Sequence, residues 1–244
     1  MSARRLLLDA GNTRLKWAVV ENGAWRGQGR ADYADLPDVA RSLGPVTDCV
    51  IASVAGAPHE AQISSFLSAL GLTPKWLTAE AQFRDVKNTY ANPQQLGVDR
   101  WMGLIAARQR THDAALVVSV GTAMTVDALS PECTFLGGVI VPGIALMQQA
   151  LRQGTARVTE LAGSWQAFPR ITADAVDSGI VAALCGAIQV QHARLAERVG
   201  MAPHCLLTGG GAPRLLPYLP LSAELVPALV LEGIDLMAKE DAAR

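Results

Sequence analysis

Leu6 to Val20 reads LLLDAGNTRLKWAVV, and Leu116 to Leu129 reads LVVSVGTAMTVDAL. Each is an apolar run, a turn of glycine and small polar residues, and a second run rich in β-branched and aromatic residues. That pattern predicts a strand, a tight turn that glycine permits, and an antiparallel return strand. Gly11 falls on Gly121, Asn12 on Thr122 and Asp9 on Ser119, each 110 positions later (121 − 11). The echo extends to a third strand on each side. Ala24 to Asp32 follows the turn Glu21-Asn22-Gly23, and Cys133 to Val141 follows Ser130-Pro131-Glu132. Two such openings in one chain predict a duplicated domain with a site in the cleft between the copies. Two unrelated hairpins that share a Gly-Thr turn are the alternative that the echo alone leaves open.

Helical patterns fill the rest. Asp99 to Arg110 (DRWMGLIAARQR) carries apolar residues at helical spacing, with an aspartate suited to the positive end of a helix. Pro142-Gly143 precedes the helix IALMQQALRQ, and Ala173 to Val199 is a long helical stretch for which Thr172 is the expected N-cap. Gly179 and Gly186 inside it predict close packing against another element, since an interior glycine costs a helix about 1 kcal/mol. Strands alternating with helices give an α/β protein of two domains, residues 1–110 and 111–244.

The 244 residues suffice for one large domain or two compact ones, and half of them are hydrophobic, which excludes disorder as the dominant state. A net charge of −1 argues against an electrostatic nucleic-acid binder. No uninterrupted apolar stretch reaches the roughly 18 residues that span a bilayer, and the N-terminus lacks the apolar region of a signal peptide. The expectation is a cytoplasmic protein with no membrane and no nucleic-acid partner. Cys49, Cys133, Cys185 and Cys205 form no CxxC pair, so plain buried thiols are expected rather than a zinc site or disulfides. The four histidines are equally scattered.

The common nucleotide motifs are missing: no GxxxxGK[ST] loop, no GxGxxG between strand and helix, no GxSxG elbow. Four constellations remain. Asp9-Ala10-Gly11-Asn12-Thr13 with Lys16 sets a carboxylate at a strand end beside a turn whose N–H groups could face a phosphate. That carboxylate could hold Mg²⁺ directly or through water. An ordinary hairpin, with Asp and Asn satisfying turn amides, is the competing reading. Gly121-Thr122-Ala123-Met124-Thr125 repeats the arrangement, and two such turns facing each other could clamp a polyphosphate. Gly209-Gly210-Gly211, after Cys205-Leu206-Leu207, would let a flat ligand such as adenine lie on backbone, unless it is only a flexible connection. Asp99-Arg100, after Gly97, is either a helix cap with a surface arginine or a general base beside an anion-binding guanidinium.

In this order the four constellations resemble the type III pantothenate kinases. The signatures are D-x-G-N-T-x-x-K (Asp9 to Lys16), Y-x-x-P-x-x-L-G-x-D-R (Tyr90 to Arg100), G-T-A-x-T (Gly121 to Thr125), G-G-x-I-x-P-G (Gly137 to Gly143) and the glycine triplet. The Tyr90 to Arg100 block is the specific one, because the phosphate turns alone fit the wider superfamily of actin, sugar kinases and heat-shock ATPases. The resemblance implies two ribonuclease-H-like (actin-like) domains with mixed sheets flanked by helices, the active site in the interdomain cleft, and a homodimer. It implies transfer of the ATP γ-phosphate to the primary hydroxyl of pantothenate, giving 4'-phosphopantothenate, the first step of coenzyme A biosynthesis.

Carried over residue by residue, Asp99 matches the family's catalytic base. Tyr90, Gly97, Val98, Asp99, Arg100 and Thr172 match its substrate contacts. Asp9, Ala10, Gly11, Asn12, Thr13, Arg14, Leu15, Lys16 and Thr122 match its ATP-phosphate contacts, Asp9 also holding Mg²⁺, with Gly209, Gly210 and Gly211 toward the adenosine. One position departs. Ser119 stands where many members carry an aspartate that binds K⁺ or NH₄⁺, and Asp127 is not at the matching place. A neutral hydroxyl removes the main charge compensation, so the expected cation requirement is weak or absent. Two further readings compete: a regulatory protein that kept an ATPase-like fold, and a kinase for another acceptor such as a sugar. Turnover of ATP separates the first, and acceptor choice the second.

Overall fold

The computed structural model describes residues 4–155, 158 and 162–243. The chain forms two compact units. One comprises the described parts of Met1–Arg84, Tyr90–Ala106 and Ala228–Arg244, the other Asp85–Thr89 and Ala107–Pro227.

The first unit is built on a sheet of β1 (Arg4–Ala10), β2 (Leu15–Glu21), β3 (Ala24–Ala31), β4 (Asp48–Ser53) and β5 (Pro74–Trp76), in spatial order β3-β2-β1-β4-β5. β1 pairs antiparallel with β2 and parallel with β4, so the sheet is mixed. As a central strand covered on both faces, β1 reads as continuous leucine, and Leu6, Leu7 and Leu8 are wholly buried. α1 (Leu36–Leu43) and α2 (Ala57–Ala69) bring Leu36, Val39, Ile63 and Leu67 onto Leu6, Leu8 and Leu15.

The second unit repeats the plan with β6 (Ala115–Val120), β7 (Ala123–Leu129), β8 (Phe135–Pro142), β9 (His204–Thr208) and β10 (Ala223–Leu225), ordered β8-β7-β6-β9-β10. The predicted echo is therefore a structural repeat: hairpin, third antiparallel strand, then parallel strands on the other side. Asp9 and Ser119 are each the penultimate residue of their strand, facing Lys16 and Thr125 across the hairpin. The turns differ in length, since Ala10–Leu15 closes the first and Val120–Met124 the second.

The helices α3 (Val98–Arg110), α4 (Ile144–Gly154) and α5 (Thr172–Val199) stand where the periodicity places them. α6 (Ala212–Leu215) and α7 (Leu229–Ala243) complete the order. Three sequence readings are corrected. The N-cap of α5 is Ile171, in extended backbone, and Thr172 is the first helical residue. Among the described residues nothing lies within 4 Å of a Cβ added at Gly179 or Gly186, so there they are not packing glycines. α5 is also long and apolar enough by length and composition to cross a membrane, although no single apolar run in the sequence is. Half of that window is buried, because Val176, Ile180, Leu184 and Ile188 form the core of the second unit with Leu116, Val118 and Val126. α7, which follows the second half in sequence, belongs to the first unit. There a Cβ on Gly233 would lie 2.1 Å from the Met102 carbonyl, so α7 and α3 touch backbone to backbone. All four cysteines are free and buried, as expected.

Candidate active site

In the first unit, the β1–β2 turn is closed by the Gly11 N–H donating to the Arg14 carbonyl at 3.1 Å. Cross-strand register puts Lys16 beside Asp9, with Nζ 3.4 Å from Oδ2. The Asp9 carboxyl is buried, which pushes its pKa up; the Lys16 ammonium opposes the rise, and the charge of Asp99 adds to it. Asp99 lies in the first turn of α3, its Oδ1 accepting the Arg100 N–H at 2.8 Å. Its pKa is also raised, by burial first, against the Arg100 N–H and charge and against Lys16. One ammonium thus serves two desolvated carboxylates. Gly97 leaves room for this carboxylate: a Cβ there would sit 2.7 Å from Asp99 Oδ1 and push the Asp99 side chain aside.

Arg100 is only 6% exposed, and its Nη1 donates to the Tyr90 hydroxyl at 3.0 Å, the guanidinium lying 5.8 Å from the Tyr90 ring centroid. The surface-arginine reading is thereby excluded. Not every member of the matched segments can reach a ligand with its side chain. Ala10, Leu15 and Val98 are core residues. Arg14 is exposed and pairs with Asp32 at 2.9 Å. Asn12 and Thr13 are exposed at the turn.

In the second unit, three of the predicted segments gather around Val120. The Gly121 N–H donates to the Ala123 carbonyl at 3.0 Å, and the Gly143 N–H to the Thr122 carbonyl at 2.9 Å. The Gly211 N–H donates to the Val120 carbonyl at 2.9 Å. Gly209, at φ +93°, is packed so closely that a Cβ would fall 2.3 Å from that same carbonyl. The glycine triplet is therefore fixed beside the Gly121-Thr122 turn and is not a loose connection. Just after it, Arg214 pairs with Asp177 of α5, whose carboxyl is buried. Thr172 is exposed at the start of α5. Ser119 is half-buried, and Asp127 is buried on β7 opposite Val117.

Sequence reasoning missed the layer beneath the first turn. The Tyr33 hydroxyl donates to the Gly11 carbonyl at 2.5 Å, and Ser53 Oγ donates to Glu60 at 2.8 Å. Neither lies near Asp9 in sequence, so no local signal marks them. Gly143 was visible as the residue before a helix and as part of a signature, but not as the partner of the Gly121-Thr122 turn.

Among the described residues no group of three or more His, Cys, Asp or Glu could hold a metal ion by itself. Asp9, a buried carboxylate coupled to a second one, fits Mg²⁺ that takes most of its ligands from phosphate and water.

Paired mixed sheets, each opened by a glycine-turn hairpin, place this chain in the fold class of the actin-like sugar kinases and ATPases. A solved structure described as a 2-dehydro-3-deoxygalactonokinase from Sinorhizobium meliloti shares that fold at TM-score 0.63 and 14% identity, over 97% of this chain and 99% of the other. Another, described as a Baf-family transcriptional activator from Campylobacter jejuni, aligns at TM-score 0.61 and 23% identity, over 98% and 100%. The model of the type III pantothenate kinase family matches residues 5–194. The type III pantothenate kinase of Thiobacillus denitrificans is 59% identical over 98% of each chain. The chain belongs to the type III pantothenate kinase family, and it is a kinase.

Proposed function

We propose that this protein transfers the γ-phosphate of Mg-ATP to the primary hydroxyl of pantothenate, the entry step to coenzyme A. What carries the reading, beyond family membership, is the buried Asp9, with Lys16 Nζ 3.4 Å from its carboxylate, and the half-buried, desolvated Asp99, which the same Lys16 charge also favours. An alcohol is a weak nucleophile at neutral pH, so its proton must pass to a base as the new P–O bond forms. Asp99 is that base, and its raised pKa brings it nearer the working pH, where general-base catalysis is worth roughly 10²–10⁴-fold. Arg100, with Tyr90 beside it, supplies a planar fork for the carboxylate of the acceptor. Thr172 adds a substrate contact.

Asp9 holds the magnesium, which when bound neutralises charge on the phosphates. Lys16, the Gly11–Thr13 turn and Thr122 position those phosphates, which is most of what phosphoryl transfer asks of a protein. Gly209 to Gly211 form the floor for the adenosine. Because Ser119 stands where a carboxylate would compensate a monovalent cation, turnover depends on such a cation weakly or not at all. The protein works in the cytoplasm as a homodimer. The outward stripe of α5, with Gly179, Gly186 and the exposed Val190, gives a second copy a smooth apolar face. Pantothenate-dependent release of ADP, lost in Asp99→Asn, is the test.

A further inference from the structure

We propose that Tyr33 is a positioning residue for the ATP phosphates: its hydroxyl holds the Gly11–Asn12 peptide in the orientation that turns the Asn12 N–H outward. The proposal rests on the reading that the first turn binds phosphate, and it adds a residue that belongs to none of the recognised signatures.

The geometry is direct. Tyr33 lies on a short 3-10 turn (Tyr33–Asp35) after the edge strand β3, and its side chain is buried. Its hydroxyl donates to the Gly11 carbonyl. A trans peptide is planar, with its C=O and N–H pointing in opposite directions. Fixing the Gly11 carbonyl toward the buried ring therefore fixes the Asn12 N–H away from it, on the exposed side where Asn12 and Thr13 stand. Asn12 lies beyond the last ladder pair, Ala10 with Leu15, so strand pairing does not set this plane. Gly11 can flip its flanking peptides more easily than any other residue, and the turn needs an external anchor for that reason.

Two further features keep the anchor in place. The Tyr33 ring stacks on His59, in the first turn of α2, at 3.9 Å between centroids and 5° between planes. Burial, and then the charges of Asp9 and Glu60, push the phenol up to about 12, so it stays protonated and can only donate to the carbonyl. A preset N–H spares the reorganisation that each ATP would otherwise have to induce.

Tyr33→Phe keeps the ring and its stacking and removes only the hydroxyl. In the full-length protein it should raise KM for ATP roughly 3–10-fold, the effect expected of one hydrogen bond. KM for pantothenate and kcat at saturating ATP should stay near wild type. Calorimetry supplies a second readout that does not depend on the acceptor: Mg-ATP should bind correspondingly more weakly, and adenosine, which has no phosphates, equally well. Unchanged ATP affinity, or equal weakening of ATP and adenosine, would overturn the positioning role. A wild type that binds Mg-ATP but ignores pantothenate would sink the kinase reading while the calorimetric comparison still decides Tyr33. A wild type that binds no ATP at all would overturn both.

Discussion

Gly143→Ala turns a steric feature of the second unit into a measurable loss. Gly143 is the N-cap of α4 at φ −74°, ψ 177°, backbone that alanine adopts without strain. The cost is one of space. A Cβ there lies 2.2 Å from the Gly121 carbonyl oxygen and 2.6 Å from that of Thr122. An ordinary carbon–oxygen contact is about 3.3 Å, so the two backbones must part by roughly 1.1 Å (3.3 − 2.2). Neither is a flexible side-chain tip, and the turn is also tied to Gly143 through the Thr122 carbonyl.

Overpacking of this kind costs about 1–3 kcal/mol, which for a chain of this size lowers Tm by roughly 2–10 °C. The turn that moves carries Thr122, and a misplacement near 1 Å can cost on the order of 10²-fold in rate. The expected result is a lowered Tm with kcat/KM for ATP down about 10–100-fold. The control is Gly154→Ala at the end of α4, where an added methyl meets nothing within 4 Å among the described residues. Wild-type Tm and KM for ATP in Gly143→Ala would refute the argument that this glycine seats the turn.

Three other outcomes follow from the site. Burial raises the Asp99 pKa in the folded state, so the folded protein binds that proton more tightly than the unfolded chain does. The associated stability is complete below the ordinary aspartate range and is lost as pH rises through the raised value. Asp99→Asn should therefore melt higher than wild type at pH 7, the gap closing toward pH 4, and kcat/KM of the wild type should fall as acid protonates Asp99. Potassium tests Ser119: initial rates with and without added KCl at constant ionic strength should differ little, and strong activation would contradict the reading. Thr172→Ala should raise KM for pantothenate several-fold with KM for ATP unchanged, measured by steady-state kinetics.

How much of this was legible in the sequence depends on the range of the interaction. The two hairpins were, because an apolar run, a glycine turn and a second run are local signals, and their echo gave the repeated sheets. Asp9 beside Lys16 follows from the same register. Asp99 and Arg100 stood out as a pair after Gly97, but the burial of Arg100 did not, since a surface arginine and a buried one read identically in one dimension. The home of α7 was hidden for a similar reason: nothing near Gly233 in sequence names Met102 as the backbone it packs against. Gly179 and Gly186 announce close packing and meet open space among the described residues. Tyr33 carries no mark at all, because what makes it matter is one hydrogen bond across 22 residues of sequence.

The central claim is that Asp99 accepts the acceptor's proton in a pantothenate-dependent kinase, and ADP release from Mg-ATP with and without pantothenate tests it most directly. Wild type should turn over only with pantothenate, and Asp99→Asn should fall by roughly 10²–10⁴-fold while still binding ATP. Pantothenate-independent turnover, or an Asp99→Asn variant as fast as wild type, would contradict it.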